Sequence, residues 1–393
     1  RRQRQMCIRD SAYAIRLLGC AAGIMVTASH NPARDNGYKV YLGDGSQITP
    51  PADEQISAAI AAASTFPAGT LPRSDDWITL DDEVETSYIN DVVAMIADDE
   101  TVRRDGVRIG YTPMHGVGGA VFEAVVKRAG FAPPLIVTEQ FAPDPDFPTV
   151  SFPNPEESGA MDLALALAER EQPSVLIAHD PDADRCAVGL ADRTGRWRML
   201  SGDEVGALLA WWSIHRSLPG EVMAQSLVSC SLLERIATAA GLRYQRTLTG
   251  FKWIGKIEGL RYGYEEALGY CVNPSMVRDK DGIAAGLAIV MLVAELKASD
   301  RTLLDVLDDL AREHGVFRTA QVSVRVANLE RIPDIMHALR QHPPTRIAGL
   351  VVQRLVDLAE GADGLPPTDG LLFDLGHGNR VIIRPSGTEP KVK

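Results

Sequence analysis

The segment PSVLIAHDPDADRCAVGL, residues 173–190, decides the predicted fold. Its first apolar run, SVLIA, is typical of a strand that is buried on both faces of a sheet. Three aspartates, Asp180, Asp182 and Asp184, alternate after that run, and a second apolar run, CAVGL, follows. Because α/β folds place reactive groups where strands end, we predict an α/β fold with a functional loop at residues 179–186.

The sequence on either side repeats this alternation of strand and helix patterns, which predicts layered α/β domains. Upstream, the pattern AAGIMVTA at residues 21–28 predicts a buried strand. Downstream, Ser201 is the predicted N-cap of the helix that follows it. The apolar pattern at residues 281–299 predicts a buried helix rather than a membrane span, since a glutamate and a lysine interrupt it.

The last part of the chain has a different pattern. AQVSVRV alternates as a half-buried strand does, GLVVQRLVDL indicates another strand, and GLLFDLGHGNRVIIRP indicates a hairpin. This part is therefore predicted to be an α+β unit with an antiparallel sheet.

Composition and charge limit the possible partners. A chain of 393 residues is long enough for two to four domains. The formal net charge of -12 argues against nucleic acid or an anionic membrane as a partner, although a basic pocket for a phosphorylated metabolite remains compatible with it. The five cysteines form no CxxC pair, which favours reduced thiols in a cytoplasmic enzyme.

The loop HDPDADRC has the composition of a metal site. Asp180, Asp182 and Asp184 repel one another unless a cation neutralises them, and hard oxygen ligands suit Mg²⁺. An EF-hand begins in the same way, but this loop lacks the glycine at its sixth position and the glutamate at its twelfth. Arg185 can neutralise a phosphoryl group. A solvated acidic turn is the alternative, and the apolar runs on both sides disfavour it.

A second polar loop follows the strand pattern in GIMVTASHNPARDNGYKVY, residues 23–41. Ser29 could be a nucleophile or a phosphate carrier, and His30 could move protons at neutral pH. Lys39 is near enough in sequence to return to the same site. Taken alone, the Ser-His pair is better explained as a capped turn with Pro32 at the start of a helix, and Lys39 as a surface lysine.

The segment RYGYEEALGY, residues 261–270, carries Glu265 and Glu266 among aromatics and glycines. Paired carboxylates suit recognition of sugar hydroxyls, but they could equally begin an exposed helix. The cations that lie near this segment in sequence, and that could hold phosphate or pair with the glutamates, are Lys252, Arg278 and Lys280.

The fourth loop is RPSGTEPK, residues 384–391. Side-chain donors and a permissive glycine backbone are what a phosphate-binding turn requires. They are supplied here by Arg384, Ser386, Gly387 and Thr388. An ordinary Pro-Ser-Gly turn is the alternative, and the density of donors favours phosphate.

These four loops, in this order, resemble those of the α-D-phosphohexomutase superfamily. The longer strings DNGYKVY, TPMHGVG, TGFKWIG and GYEEALGY are similar to the branch that contains phosphoglucomutases, phosphomannomutases and phosphopentomutases. The resemblance implies three related α/β domains and a C-terminal α+β domain, the first and last being truncated. The expected divisions are a non-native or disordered segment at 1–11 and domains at 12–85, 86–195, 196–315 and 316–393.

The resemblance also implies roles for the loops. Ser29 would carry the phosphoryl group, and an oxygen on it would join the three aspartates in holding Mg²⁺. Arg185 would bind the same phosphate, while His30 and Lys39 would assist proton transfer. Glu265 would contact the sugar, and the loop at 384–388 would hold the phosphate that does not react.

The activity implied is transfer of a phosphoryl group between the 1- and 6- (or 5-) positions of a sugar phosphate, with a sugar 1,6-bisphosphate as intermediate and activator. A phosphoglucomutase or phosphomannomutase acting as a monomer or homodimer is the preferred form. Ala267 stands where many hexose-acting relatives carry a serine, which leaves a phosphopentomutase open. A phosphosugar-binding protein without turnover and a phosphohydrolase are two further hypotheses from different functional classes.

Overall fold

The computed structural model describes residues 8–70, 73–96, 102–326, 328, 330–362, 364–386 and 391–393. The chain divides into two units. The first comprises Arg1–Gln245 and Gly250–Phe317, and the second comprises Arg246–Thr249 and Arg318–Lys393.

The strands described in the first unit, apart from the last two residues of β9, are β1 (Ala22–Val26), β2 (Tyr38–Leu42), β3 (Ile109–Thr112), β4 (Leu135–Ile136), β5 (Val175–His179), β6 (Cys186–Ala191), β7 (Trp197–Met199), β8 (Val222–Ser226), β9 (Arg243–Thr247), β10 (Leu260–Glu265) and β11 (Gly269–Cys271). Its helices are α1 (Ile8–Leu17), α2 (Ala52–Ala63), α3 (Glu83–Ala94), α4 (Gly119–Arg128), α5 (Asp162–Glu171), α6 (Gly202–Ile214), α7 (Leu232–Ala239), α8 (Phe251–Ile254), α9 (Gly282–Lys297) and α10 (Leu303–His314). Short 3₁₀ turns lie at Ala68–Thr70 and Thr138–Gln140.

The sheet that positions the aspartates has the strand order β4-β3-β5-β6-β7. β3 is parallel to β4 and β5, whereas β5 is antiparallel to β6, with His179 opposite Cys186. All five residues of β5 are buried, as its apolar run predicts. The aspartate loop therefore connects two neighbouring strands in the interior of this sheet. The α/β prediction is confirmed.

A second sheet of this unit has the order β11-β10-β8-β9. β10 is parallel to β8 and antiparallel to β11. The sugar-loop candidate Glu265 is the last residue of β10, so residues 266–268 form the turn into β11. The backbone of this turn adjoins the aspartate loop, because the Cys186 amide donates to the Leu268 carbonyl at 3.0 Å.

The strands β1 and β2 form a two-stranded antiparallel hairpin. The strand predicted at residues 21–28 forms as β1, but its predicted burial is wrong, since Ile24 and Val26 are 68% and 85% exposed. An apolar run does not by itself bury a strand. Among the described residues β1 has only β2 as a sheet neighbour, and α1 packs against the hairpin. Gly23 permits that packing, because a Cβ there would lie 2.4 Å from the Ile15 side chain.

Two helix predictions around the core are confirmed. Ser201 caps α6 in a capping box with Glu204, as predicted. The apolar helix α9 is buried along nearly its whole length and packs between the two larger sheets. Within the residues described, no helix combines the length and the apolar character that a membrane span needs.

The second unit is α+β, as predicted. It contains α11 (Arg331–Gln341), β12 (Val324–Arg325), β13 (Arg346–Ile347), β14 (Leu350–Val351), β15 (Arg354–Asp357), β16 (Leu371–Gly376), β17 (Asn379–Ile383), β18 (Lys391–Val392) and a 3₁₀ turn at Leu358–Glu360. Every strand pair described here is antiparallel. The predicted hairpin forms as β16 and β17, whereas AQVSVRV contributes only β12 and GLVVQRLVDL breaks into β14 and β15.

Candidate active site

The serine loop leaves β1 at Val26 and presents Ser29 in a left-handed conformation, with φ at 51°. Few residues other than glycine adopt this conformation, and side-chain hydrogen bonds hold it here. The Ser29 amide donates to Thr27 Oγ1 at 2.8 Å, and Ser29 Oγ lies 3.1 Å from His30 Nδ1. The alternative interpretation, in which a helix begins at Pro32, is wrong, since residues 27–37 form turns.

The hairpin register explains how Lys39 returns to this loop. Lys39 pairs with Met25 across the two strands, so its side chain starts two residues from Thr27. Its Nζ donates to Asp182 at 3.2 Å and to Asp184 at 2.7 Å. Lys39 therefore belongs to a site formed by both loops rather than to the solvated surface.

The acid loop, residues 180–185, brings its three aspartates together. One carboxylate oxygen from each of Asp180, Asp182 and Asp184 lies within 4.8 Å of the others, and all three residues are buried. Burial, followed by repulsion from Asp182 and Asp184, raises the pKa of Asp180 well above its usual value. The Arg185 amide donates to Asp180 Oδ1 at 3.0 Å and fixes that carboxylate within the turn.

The two loops meet at the serine hydroxyl. Ser29 Oγ lies 3.3 Å from Asp180 Oδ2 and 3.2 Å from Asp182 Oδ1. Thr27 Oγ1 donates to the other oxygen of Asp182 at 3.1 Å. Direct hydrogen bonds thus join residues that lie about 150 positions apart in the sequence.

Three cations surround the carboxylates. Lys280 Nζ lies 3.1 Å from Asp184 Oδ2, which it shares with Lys39. Burial alone would lower the pKa of Lys39, but Asp182 and Asp184 outweigh it and raise that pKa well above the usual value. Arg185 Nε is 3.9 Å from both Asp180 and Asp184, so its guanidinium is held by charge more than by short hydrogen bonds.

His30 is neutral in this environment. Burial, and next the positive charge of Arg185, lower the pKa of His30 to about 2. A neutral imidazole can accept a hydrogen bond from the Ser29 hydroxyl, but it resists taking up a full proton. His30 is thus better suited to orienting Ser29 than to holding a charge.

The residues present fit a divalent metal ion. Ser29 has one hydroxyl proton, yet His30 Nδ1 and oxygens of Asp180 and Asp182 all lie within hydrogen-bond distance of its oxygen. The remaining lone pairs face one another, and a cation among them would relieve that repulsion. The donors are hard oxygens, which Mg²⁺ prefers.

The two glutamates of the sugar loop have different surroundings. Glu265 accepts from the Gly250 amide at 2.6 Å, and burial, then repulsion from Glu266, raise its pKa. Glu266 instead accepts from the hydroxyls of Ser226 and Ser229 at 3.1 and 3.0 Å. The two glutamates therefore do not begin an exposed helix. Glu266 instead stabilises the loop that follows β8.

Two of the predicted basic residues contact other groups. Lys252 lies over the Trp253 ring at 5.6 Å, and Arg278 lies 3.7 Å from Asp44. Lys280 is the member of this predicted set that reaches the acid loop.

The phosphate-loop candidate lies in the second unit. Arg384 directly follows β17, and its backbone exchanges two hydrogen bonds with Lys393. The Ser386 amide donates to the Lys391 carbonyl at 2.9 Å. Gly387 and Thr388 lie outside the described residues.

Sequence reasoning named no role for several residues at the site. Thr27 holds Asp182, and its place in the loop TASHNP was the available signal. Glu156, on the long proline-rich loop before α5, lies 3.6 Å from Arg185 Nη1. No local pattern in that loop distinguishes Glu156 from its neighbours.

An α/β core that places a serine hydroxyl among buried carboxylates and cations defines a phosphoryl-transfer type of site. Three family models match the chain: phosphoglucomutase/phosphomannomutase alpha/beta/alpha domain I at residues 8–66, domain II at 86–195 and domain III at 201–314. The chain belongs to the phosphoglucomutase/phosphomannomutase family, an isomerase-class group of phosphosugar mutases.

Individual relatives agree with that assignment. A protein of Haemophilus influenzae named "Probable phosphomannomutase" is 45% identical over 387 residues, covering 97% of this chain and 78% of the relative. The human "Phosphopentomutase" is 33% identical over 424 residues, covering 97% of this chain and 68% of the relative. The open form of Paramecium parafusin, a phosphoglucomutase, shares the fold with a TM-score of 0.69 at 20% identity, covering 98% of this chain and 75% of that one.

Proposed function

We propose that the chain moves a phosphoryl group between the 1- and 6- (or 5-) positions of a sugar phosphate by way of phospho-Ser29. The observation that carries this proposal is the position of Ser29 Oγ, 3.2 and 3.3 Å from two buried aspartates and 3.1 Å from His30. A serine that only capped a turn would not need buried charges of both signs around its hydroxyl.

In the first transfer, the bond between phosphorus and Ser29 Oγ breaks while a sugar hydroxyl oxygen bonds to phosphorus. The proton that the sugar hydroxyl loses is balanced by the one that Ser29 Oγ gains, so the transfer needs no net proton from the protein. Asp182 and Asp184 keep the ammonium of Lys39 protonated, so Lys39 supplies a fixed positive charge beside the serine. His30, which stays neutral, orients the Ser29 hydroxyl. The second transfer reverses these bonds with the other phosphate of the sugar bisphosphate.

Asp180, Asp182, Asp184 and an oxygen on Ser29 would hold Mg²⁺. When bound, the ion would offset negative charge on the transferring phosphoryl group. Arg185 would add positive charge on the same side, with Glu156 and the aspartates fixing its guanidinium. The chain's own contribution is positioning and electrostatics.

Recognition of the substrate is divided between two loops. Glu265 would accept a sugar hydroxyl, and Lys280 beside the acid loop would supply charge. The loop with Arg384, Ser386, Gly387 and Thr388 would grip the phosphate that does not react. Because the bisphosphate must turn around, this loop has to accept either of its phosphates.

A hexose phosphate is the proposed substrate, on the strength of the 45% identity to a protein named as a phosphomannomutase. A pentose phosphate is the second candidate. It is favoured by Ala267, which offers no hydroxyl in the sugar loop, and by the human relative named as a phosphopentomutase. The cytoplasmic location, the oligomeric state and the domain boundaries stay predictions.

The test supplies the full chain with glucose 1-phosphate, mannose 1-phosphate and ribose 1-phosphate, Mg²⁺ and a sugar bisphosphate. We expect isomer formation from at least one substrate and an intact mass that gains one phosphoryl group. Ser29→Ala should lower turnover to below ~0.1% and remove that gain, as loss of a nucleophile does. Ser64→Ala, at an exposed helix end, is the matched control and should act as wild type. Binding without isomer formation would instead identify a phosphosugar-binding protein.

A further inference from the structure

His179 is a buried titratable residue that the proposed transfer does not use. It is the last residue of β5, directly precedes Asp180, and has no exposed surface. Its ring meets Phe122 edge to face with centroids 4.9 Å apart, and Tyr111 at 5.4 Å. A polar ring among aromatics has to be hydrogen-bonded to be tolerated there.

Both ring nitrogens of His179 have partners, and these fix the tautomer. Nε2 lies 3.0 Å from the Gly282 carbonyl oxygen, which can only accept, so Nε2 carries the proton. Nδ1 lies 3.1 Å from the Tyr111 hydroxyl and therefore accepts from it. The ring is a neutral bridge with one donated and one accepted hydrogen bond.

The donated bond reaches the first turn of α9. Gly282 begins this helix, and its amide in turn donates to the Ala183 carbonyl in the acid loop at 3.2 Å. A Cβ on Gly282 would lie 2.3 Å from the Arg185 carbonyl oxygen, so the helix start is pressed against the loop backbone. The same glycine thus contacts the end of β5 through His179 and the acid loop directly.

The helix α9 also lies close to the imidazole one turn later. A Cβ on Gly286 would lie 3.2 Å from His179 Nε2, so the absence of a side chain there allows the helix to pass over the ring. Residues 86–195 and 201–314 match different domain models of the family, and His179 joins one region to the other.

We propose that His179 is a positioning residue, which locks the acid loop against the first turn of α9 through its bond to Gly282. The lock holds the carboxylates of Asp180, Asp182 and Asp184 in the arrangement that a divalent cation requires. This inference rests on the proposed function for its catalytic consequence, but the cation affinity it predicts can be measured without turnover.

The experiment compares His179→Gln and His179→Asn in the full chain. The glutamine amide extends to the place of Nε2 and can still donate to Gly282, whereas the shorter asparagine can replace only Nδ1 as an acceptor. Supporting groups of metal ligands typically contribute ~10–100-fold to affinity or rate, so we expect His179→Asn to lose about 10-fold in Mg²⁺ affinity and in kcat with KM little changed. His179→Gln should stay within about 3-fold of wild type, and so should Tyr111→Phe, which leaves the Gly282 bond intact.

Calorimetric Mg²⁺ titration and Tm are measured on every variant beside kcat and KM. A His179→Asn variant that binds Mg²⁺ as wild type does would overturn the proposal. Equal losses of Mg²⁺ affinity and kcat in the Gln and Asn variants, in proportion to their losses in Tm, would also overturn it. That result would mean that His179 is a structural residue only. If the wild type forms no isomer yet the two variants differ in Mg²⁺ affinity as expected, the mutase function fails while the positioning role stands.

Discussion

The acid loop leaves a strand in which every residue is buried, whereas the serine loop leaves a hairpin whose Ile24 and Val26 are 68% and 85% exposed. The acid loop is part of the core and has sheet neighbours on both sides. The serine loop instead depends on polar contacts, through Thr27, Ser29 and Lys39, to the aspartates themselves. The groups that are proposed to carry the chemistry also attach the hairpin to the core.

This difference indicates that the acid loop and the serine loop have different structural requirements. A buried cluster of charges needs rigid surroundings, because the free energy of each carboxylate depends on the positions of the other charges. A serine that exchanges a phosphoryl group with a substrate needs access. The first requirement is met by the core of the five-stranded sheet and the second by a hairpin that is exposed on one face.

Asp180→Asn should have the largest effect. It removes one proposed metal ligand, while the new amide oxygen can still accept from the Arg185 amide. We expect turnover to fall by about 10³-fold and Mg²⁺ affinity by at least about 100-fold, because the charge of the ligand set is reduced. Kinetics and Mg²⁺ titration check both.

Stability of the same variant separates chemistry from folding. Burial and neighbouring carboxylates raise the pKa of Asp180, so its charged form opposes folding when no cation is bound. The metal-free variant should therefore unfold at the same temperature as metal-free wild type or higher. A lower Tm would show that Asp180 is primarily a structural group.

The next prediction compares β5 and β1 directly, by truncating one isoleucine in each strand. Ile177→Ala in β5 should lower the free energy of unfolding by about 3 kcal/mol, since it leaves a cavity in a packed core. Ile24→Ala in β1 should change it by less than about 0.5 kcal/mol, since the side chain is already in solvent. Urea unfolding measures both. Equal losses would mean that the exposed face of the hairpin is covered in solution.

The sequence predicted the acid loop well because the pattern around it is local. An apolar run followed by alternating aspartates determines a buried strand and a charged turn, and both were found at Val175–His179 and residues 180–185. The position of Ser29 could be inferred only by resemblance, since its contact to Asp182 joins residues far apart in the chain.

The errors have a common physical origin. The strand at residues 21–28 was predicted to be buried from its composition, but burial depends on which elements pack against both of its faces. Glu265 and Glu266 are identical in type and adjacent, so no pattern could assign one to the Gly250 amide and the other to Ser226 and Ser229. Such assignments are decided by tertiary neighbours.

An effect smaller than that of Ile177→Ala concerns how α1, which supports the exposed hairpin, is attached. The Tyr13 hydroxyl donates to Asp91 at 2.6 Å on α3, and Tyr13 is only 4% exposed. Burial, and next the hydrogen bond to Asp91, raise the pKa of Tyr13 to about 12. Tyr13→Phe should lower the free energy of unfolding by about 1 to 2 kcal/mol near pH 8, as loss of a hydrogen bond to a charged group does.

The sign of the pH dependence follows from the raised pKa of Tyr13. Below pH 10 the tyrosine is protonated in both the folded and the unfolded chain, so its full contribution is present. Between pH 10 and 12 the unfolded chain loses this proton first, which favours unfolding of the wild type but not of Tyr13→Phe. The difference in urea midpoints between the two proteins should therefore shrink as the pH rises from 9 to 11. A constant difference over that range would mean that folding does not raise the pKa of Tyr13, and the hydrogen bond to Asp91 would then not be what attaches α1.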